Sequence, residues 1–593
     1  MTTPLPTPLQ AYAARSCPTM VQWDVLGPAE RAPTTEFQRL LRARGVAHEE
    51  AIGAALMAAH PGAVDAGAVG DRVDRELTTV AAMEAGAALI RRTRIPWDVE
   101  GRRIGEPDLL VRVGDAPVDG RWRYVPVEVK LRRVLDESLE EGEALPAGVQ
   151  RLEDLHVPAP EGCVPADQGS GGSGLADDLV QLAHYHRLLE ARGRASVRAG
   201  DGAALAGIIG AEGVLAWFRL DVERLSVSEE IDPDRRESAL DRYDREFAHR
   251  VAVFDAAVRH REDPSLPLLE EPVRVADCPE CPWRDHCDAL RVASGDVSVL
   301  PRATRTTAWP ALRAAGLGTL HALAAHDPAA GVPGLRDAAV ATLVDEARAL
   351  VAPAFAHRRR GLTAVEVPRA DVEVDVDMEN PGPGDGCGAY LWGALVTDRA
   401  GTGVVTPGYH PAVVWDGDTD AGGAAAFDAF WTWLTDLRRA CDDAGASLRL
   451  YCWHQQAEVG CLRDGARLLL AAGGPDRVLE VEALVASDHW VDLKLVWARQ
   501  VVTGGGNGLK RIATGLGFAW RDEDPGGAQS VVWWDHAVDP RRSEDERQRW
   551  RDRILTYNHD DVLATLHVRD WLAREGPALG PPPVPGPAPA GRG

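Results

Sequence analysis

Residues 121–133, RWRYVPVEVKLRR, alternate as a β-strand does, and they constrain the front of the chain more than any other stretch. Tyr124, Pro126, Glu128 and Lys130 fall on one side, and Val125, Val127, Val129 and Leu131 on the other. A carboxylate and an ammonium on one face of an otherwise apolar strand call for a reason. Upstream, GEPDLLVRV (105–113) reads as a second strand, joined to the first by the polar turn GDAPVDG. A hairpin pivoting near Val118 sets Asp108 opposite Glu128, with Lys130 beside them. Facing carboxylates are destabilising unless a cation sits between them. A divalent metal meets that need, polarises a phosphodiester and lowers the pKa of bound water. Lys130 would orient or deprotonate the attacking water, or stabilise the charge that develops on phosphorus. Taken alone, the same pattern reads as a salt-bridged surface hairpin.

At 593 residues the chain is too long for one core, and two to four domains are expected. No apolar run approaches membrane-spanning length, so a cytoplasmic protein without a membrane partner is expected. The formal net charge of -25 argues against a general electrostatic grip on nucleic acid. Such a ligand requires local basic residues, with metals offsetting the acids.

The overall expectation is an α/β multidomain chain. Residues 1–295 read as a mixed α/β domain interrupted by the flexible run EGCVPADQGSGGSG at 161–174. Residues 296–358 are helical and Ala/Leu-rich, with short helices around Gly-containing turns. A helix-hairpin-helix-like connector fits, whose turn amides could hold a phosphate, but plain helical connectors share the pattern. A second α/β domain spans 359–575. In it VEVDVDMEN and AYLWGALVTD read as neighbouring strands, AAAFDAFWTWLTDLRRACDDAG as an amphipathic helix ending at Gly, and SLRLYCWH as another strand. Residues 576–593, GPALGPPPVPGPAPAGRG, should form a disordered tail.

Two further pieces join the first hairpin. RARGVAHEEAI supplies His48 as an additional metal ligand, although a lone histidine is more often structural. DDLVQLAHYHRLLE supplies Gln181 and Tyr185, four apart on one helical face, flanking the stripe of Leu175, Leu179, Leu182 and Leu189. This ordered set resembles the RecB-like branch of the PD-(D/E)xK nucleases. The resemblance implies a restriction-endonuclease-like domain in which Asp108 and Glu128 bind Mg2+ or Mn2+ and Lys130 is catalytic. Gln181 and Tyr185 would complete that site.

DCPECPWRDHC gives Cys278, Cys281 and Cys287, and Cys17 offers a fourth thiolate. Four thiolates hold zinc or an iron–sulfur cluster, and spacing alone does not choose. The layout is similar to the iron–sulfur nucleases of the RecB-like group, which implies a structural [4Fe–4S] cluster, with zinc the lesser expectation. Cys163, Cys387, Cys441, Cys452 and Cys461 form no such run and read as ordinary thiols.

In VEVDVDMEN, Glu373, Asp375, Asp377 and Glu379 share a strand face. A solvated edge strand is one reading; cation binding near one end is the other. Later, LTYNHDDVLATLHVRDWL puts Tyr557 and Asp561 four apart on a helix. Together these resemble the DnaQ-like exonucleases of the ribonuclease-H fold. There four carboxylates bind two metals and the tyrosine positions the water. The resemblance assigns Asp377, Glu379, Tyr557 and Asp561. The second motif departs from the family: Glu458 stands where an aspartate is usual, and Asp492 is a rival. Lys510 and Arg511, in GNGLKRIATGLGF, could contact a nucleic-acid backbone.

The two resemblances, in this order, cover roughly residues 10–572 and look like RecB-like nucleases that combine both domains, some with a fused helicase. No G-x-x-x-x-G-K-[ST] occurs, so any helicase would be a separate partner. The expected function is a metal-dependent DNA nuclease, an exonuclease on single-stranded or end-containing DNA, in repair, recombination or defence. An RNA-directed exonuclease and a non-catalytic nucleic-acid-binding subunit of a helicase or CRISPR complex are the alternatives.

Overall fold

The computed structural model describes residues 7–68, 70–134, 144–166, 174–196, 203–228, 232–304, 307–382, 388–415, 419–523 and 526–585. These form two compact units, one of residues 1–34 with 41–290 and one of 35–40 with 291–593. Among the described residues no helix is long and apolar enough to cross a membrane.

The first unit is built on a seven-stranded mixed sheet. Its strands are β1 (Val64–Asp65), β2 (Leu89–Arg91), β3 (Leu109–Val118), β4 (Arg121–Val129), β5 (Val149–Arg151), β6 (Leu205–Ile209) and β7 (Val214–Arg219). They lie in the order β1-β2-β3-β4-β6-β7-β5. The β3–β4 hairpin turns at Asp119 and Gly120, both left-handed (φ 49° and 73°), as the tight Asp-Gly turn of a hairpin requires. The turn is therefore shorter than the sequence suggested. A register shift between Val113 and Val118 absorbs the difference, so that Leu109 pairs with Val127. One step further, Asp108 lies opposite Glu128, the predicted register.

Both faces of β4 are covered. Val125 and Val127 join Leu109, Val111 and Trp217 in one core, while Tyr124 joins Leu182, Leu189 and Phe218 in another. Two helices matter to the site: α1 (Tyr12–Arg15) and α2 (Leu175–Ala191). The apolar side of α2 seats Leu179, Leu182 and Leu189 in the core. The expected flexible run is only partly accounted for. Cys163 and Val164 are buried, and the Val164 amide donates to the Trp217 carbonyl at 2.9 Å, so its beginning is ordered by the core; residues 167–173 lie outside the described residues.

The second unit begins with three helices, Trp309–Ala314, Leu320–Ala325 and Asp337–Val351, around a core including Leu312, Leu323, Leu343 and Val344. Its sheet has five strands: β8 (Val372–Glu379), β9 (Leu391–Asp398), β10 (Gly408–Val413), β11 (Leu448–Cys452) and β12 (Trp490–Asp492). Their order is β10-β9-β8-β11-β12, the first three antiparallel and the last two parallel to β8. The sequence reading missed β10. Its Pro411 masks the strand signal and is tolerated because β10 is an edge.

The solvated-edge reading of VEVDVDMEN fails, because β8 is the central strand. Val372, Val374 and Val376 pack on Phe427, Trp431 and Leu434 of α3 (Thr419–Ala444), the predicted amphipathic helix, which stops before Gly445 (φ 65°). Helices α4 (Gln455–Ala471), α5 (Leu509–Gly515) and α6 (Glu544–Glu575) complete what the site needs. A Ser543/Glu546 capping box starts α6.

The tail is not disordered from its start. Gly576 is buried beside Val365, Leu579 packs on a core, and the Arg358 amide donates to the Gly580 carbonyl at 2.8 Å. Residues 586–593 lie outside the described residues.

Candidate active sites

In the second unit, Asp377 and Glu379 of β8 and Asp561 of α6 each offer a carboxylate oxygen within 4.8 Å of the others. Alternation puts the acids on the β8 face opposite the valine core, where α6 packs. Two of the four acids on this face have protein cations. Glu373 accepts two bonds from Arg369, at 2.7 and 2.8 Å, and Asp375 lies 2.9 Å from the buried Arg569 of α6. That leaves Asp377 and Glu379 with Asp561 as the crowded end.

Local packing fixes these carboxylates. Asn558, wholly buried on α6, donates from Nδ2 to Asp377 at 2.8 Å and accepts from the Tyr409 hydroxyl at 2.7 Å. Its space exists because Gly393, paired with Asp377 in the ladder, has no side chain; a Cβ there would stand 1.7 Å from Asn558 Oδ1. Trp520 Nε1 donates to Asp561 at 2.7 Å. Tyr557 lies one turn before Asp561, and its hydroxyl accepts from Lys510 Nζ at 2.7 Å.

Burial, followed by repulsion from Asp561, Glu379 and Glu458, pushes Asp377 well above the usual carboxylate range. Burial lifts Glu379 to about 8 and raises Asp561 as well. Such a cluster holds protons unless a cation replaces them. Hard oxygen donors at this spacing suit Mg2+ or Mn2+.

Glu458, near the start of α4, is 5 % exposed, its Oε2 has no hydrogen-bond partner, and burial lifts it to about 7. Its rival is otherwise engaged. Asp492 caps a helix, accepting from the Leu495 amide at 2.9 Å, and faces the Gln455 amide at 3.3 Å. The expectation for Arg511 is corrected: its guanidinium is spent internally on Thr503 Oγ1 at 2.8 Å and over the Phe355 ring. Lys510 turns toward Tyr557 instead of standing free.

In the first unit Asp108, Glu128 and Lys130 converge. The Asp108 carboxylate accepts from the Val129 amide at 2.8 Å, and Lys130 Nζ donates to Glu128 at 2.8 Å. Gln181 bridges the set: Nε2 donates to Glu128 at 2.9 Å and to the Tyr185 hydroxyl at 3.1 Å, while Oε1 accepts from Lys130 at 3.1 Å and Arg15 at 2.8 Å. Gln181 and Tyr185 are thus buried against the acid-bearing strand, not at the rim of the helix. Burial, then Glu128 and Glu49, raise Asp108 well above its ordinary value. Burial works against the Lys130 charge, but Glu128 and Asp178 outweigh it and raise its pKa.

His48 does not face these carboxylates through Nε2, which lies 3.2 Å from the Gly210 carbonyl. The neighbouring Glu49, on the same helix (Glu36–Ala59), is the group whose charge acts on Asp108 and Glu128. Sequence reading missed Glu49, Asp178, Asn558, Trp520 and Arg569. Adjacency was the available signal for three of them: Glu49 follows His48, Asp178 precedes Gln181 by three, and Asn558 follows Tyr557.

None of Cys17, Cys278, Cys281 and Cys287 is in a disulfide. Burial pushes the Cys281 thiol up to about 11, and each of the other three sulfurs raises it further. Trp23 Nε1 donates to Cys287 Sγ and the Val275 amide to Cys278 Sγ, both at 3.3 Å, the kind of support thiolate ligands receive. Cys163, Cys441, Cys452 and Cys461 are buried; Cys387 lies outside the described residues.

The β10-β9-β8-β11-β12 sheet with acids on its central strand and on a late helix is a ribonuclease-H-like arrangement. A family model described as the RNase_H superfamily matches residues 476–573, the span that holds Lys510, Tyr557, Asn558 and Asp561. The C-terminal domain is ribonuclease-H-like. No curated protein and no solved structure matches the chain.

Proposed function

We propose that the protein is a metal-dependent nuclease with two potential centres, acting on DNA as an exonuclease on single strands or ends. The observation that carries this reading is the crowding of Asp377, Glu379 and Asp561 within 4.8 Å in a ribonuclease-H-like domain. Glu458, whose buried oxygen lacks a partner, is the fourth carboxylate of that set. When bound, a divalent ion supplies Lewis acidity and a water of lowered pKa. Asn558 and Trp520 would then hold the Asp377 and Asp561 carboxylates in fixed orientation, and Tyr557, which burial and Asp561 keep protonated, would position the attacking water through its hydroxyl oxygen.

The first-unit set supports a second centre of the RecB-like kind, with Asp108 and Glu128 as metal ligands and Lys130 as the catalytic cation. The preference for DNA rests on that resemblance, as do the [4Fe–4S] cluster on Cys17, Cys278, Cys281 and Cys287, the assignment to repair, recombination or defence, and a separate helicase as partner. The electrostatic influence of Cys17, Cys278 and Cys287 on Cys281 supports such a cluster, and a broad absorption band near 400 nm in anaerobically purified protein is its signature.

The deciding experiment compares Glu128→Ala with Lys130→Ala, and both with Asp377→Ala, on end-labelled single-stranded DNA and RNA with Mg2+ or Mn2+. Loss of cutting with Asp377→Ala alone places the chemistry in the C-terminal domain, and loss with the first pair alone places it in the front half. Cutting of RNA in preference to DNA overturns the substrate assignment. An inactive parent protein leaves a non-catalytic nucleic-acid-binding subunit.

A further inference from the structure

Lys510 lies beside the C-terminal carboxylates, and the family resemblance gives it no role. It lies on α5, and its Nζ reaches the Tyr557 hydroxyl at 2.7 Å while standing 4.8 Å from the centre of that ring. A phenol donates one proton and accepts through its lone pairs. With Lys510 donating to the oxygen, the Tyr557 proton is left for Asp561, one turn away. Lys510 is also the protein cation whose field reaches Asp377, Glu379 and Asp561 together, lowering each against the burial that raises it.

Charge counting gives this cation a purpose. Ionised Asp377, Glu379, Asp561 and Glu458 carry four negative charges, which two divalent ions cancel. A phosphodiester brings one more negative charge, and another builds as water attacks. Arg369 and Arg569 are not free to answer it, since they hold Glu373 and Asp375. A fixed positive group facing the place where charge develops is worth far more there than in water.

Resting on the nuclease reading, we propose that Lys510 is a further catalytic residue of the C-terminal centre, contacting a non-bridging oxygen of the scissile phosphate and directing the Tyr557 proton toward Asp561. No proton leaves Lys510; its contribution is charge and orientation. The chemical class it recognises is a single-stranded nucleic-acid phosphodiester.

The test uses the full chain carrying Glu128→Ala, so that the front site is silent. Lys510→Met should lower kcat about 100-fold, with partial rescue in Lys510→Arg and with Lys510→Gln as a second neutral variant should the first fold poorly. A metal-free readout accompanies it: binding of a labelled 20-mer oligodeoxynucleotide in EDTA, titrated with NaCl. Removing one phosphate contact should reduce the slope of log K against log salt by about 0.7. Lys510→Gln matching the parent in both kcat and salt slope overturns the inference, as does a parent chain that binds no oligonucleotide. Asp377→Ala retaining full activity in the Glu128→Ala background overturns the nuclease reading of this domain, while the salt slope still decides whether Lys510 meets phosphate.

Discussion

The two acidic sites solve one electrostatic problem in opposite ways. In the first unit Glu128 already has an ammonium at 2.8 Å, and Gln181 satisfies what remains of it. In the second unit three carboxylates are crowded together, and the nearest ammonium is bonded to a tyrosine, not to them. The first site holds one counter-ion for its two carboxylates, and burial, Glu128 and Glu49 still raise Asp108. The second stores repulsion that protons or metal must relieve. A site with its own counter-ion tolerates the absence of metal; a site without one depends on it.

The largest effect that would sharpen this contrast comes from Arg569. Its replacement by Met strips the buried cation from Asp375, and unpaired buried charges cost about 3–5 kcal/mol. Calorimetry should show the second unit's transition falling sharply while the first unit's stays in place. An unmoved second transition would mean that Asp375, which burial lifts to about 7, is already neutral.

Next comes Asn558→Leu, which removes the donor to Asp377 at nearly constant volume. Partners of ligating carboxylates are worth about 10–100-fold in metal affinity. Mn2+ titration followed by electron paramagnetic resonance should show that loss at one class of site only. Equal weakening at both would break the comparison.

The pH dependence is a subtler measure. Glu458 and Glu379 are lifted to about 7 and about 8, so the folded chain holds protons that the unfolded chain has released above about pH 4.3. Stability from these groups is therefore present at low pH and lost as pH rises through 7 to 8. In EDTA the second unit's Tm should drop by about 5 °C between pH 6 and 8.5, and Mn2+ should restore it. Glu379→Gln should flatten the profile; an unchanged slope in that variant would remove the cluster as its origin. The smallest effect belongs to Asp492→Ala, which loses a helix cap worth about 1 kcal/mol. It should leave cutting intact, whereas Glu458→Ala should not.

Much of the fold was legible because the strands carry strict alternation. The Asp119-Gly120 turn and the valines of β4 fix the hairpin, and the valines of β8 fix which face the acids take. What escaped the sequence depends on neighbours distant along the chain. Nothing in VEVDVDMEN shows that Glu373 and Asp375 will be claimed by arginines at 369 and 569, leaving only Asp377 and Glu379 crowded. Asn558 reads as a polar residue between Tyr557 and His559; its grip on Asp377 depends on an absent side chain at 393. His48 drew attention as a rare ligand type, yet geometry turned its Nε2 to a carbonyl and gave the acidic role to Glu49.

That empty position at 393 carries a consequence for how such a chain could change over time. A single methyl group there would collide with a fully enclosed amide and dislodge the donor that holds Asp377, without altering any acidic residue. On the nuclease reading, a copy so altered would keep every motif a sequence comparison looks for and lose cutting at this centre, so counting carboxylates is a poor guide to which descendants cut.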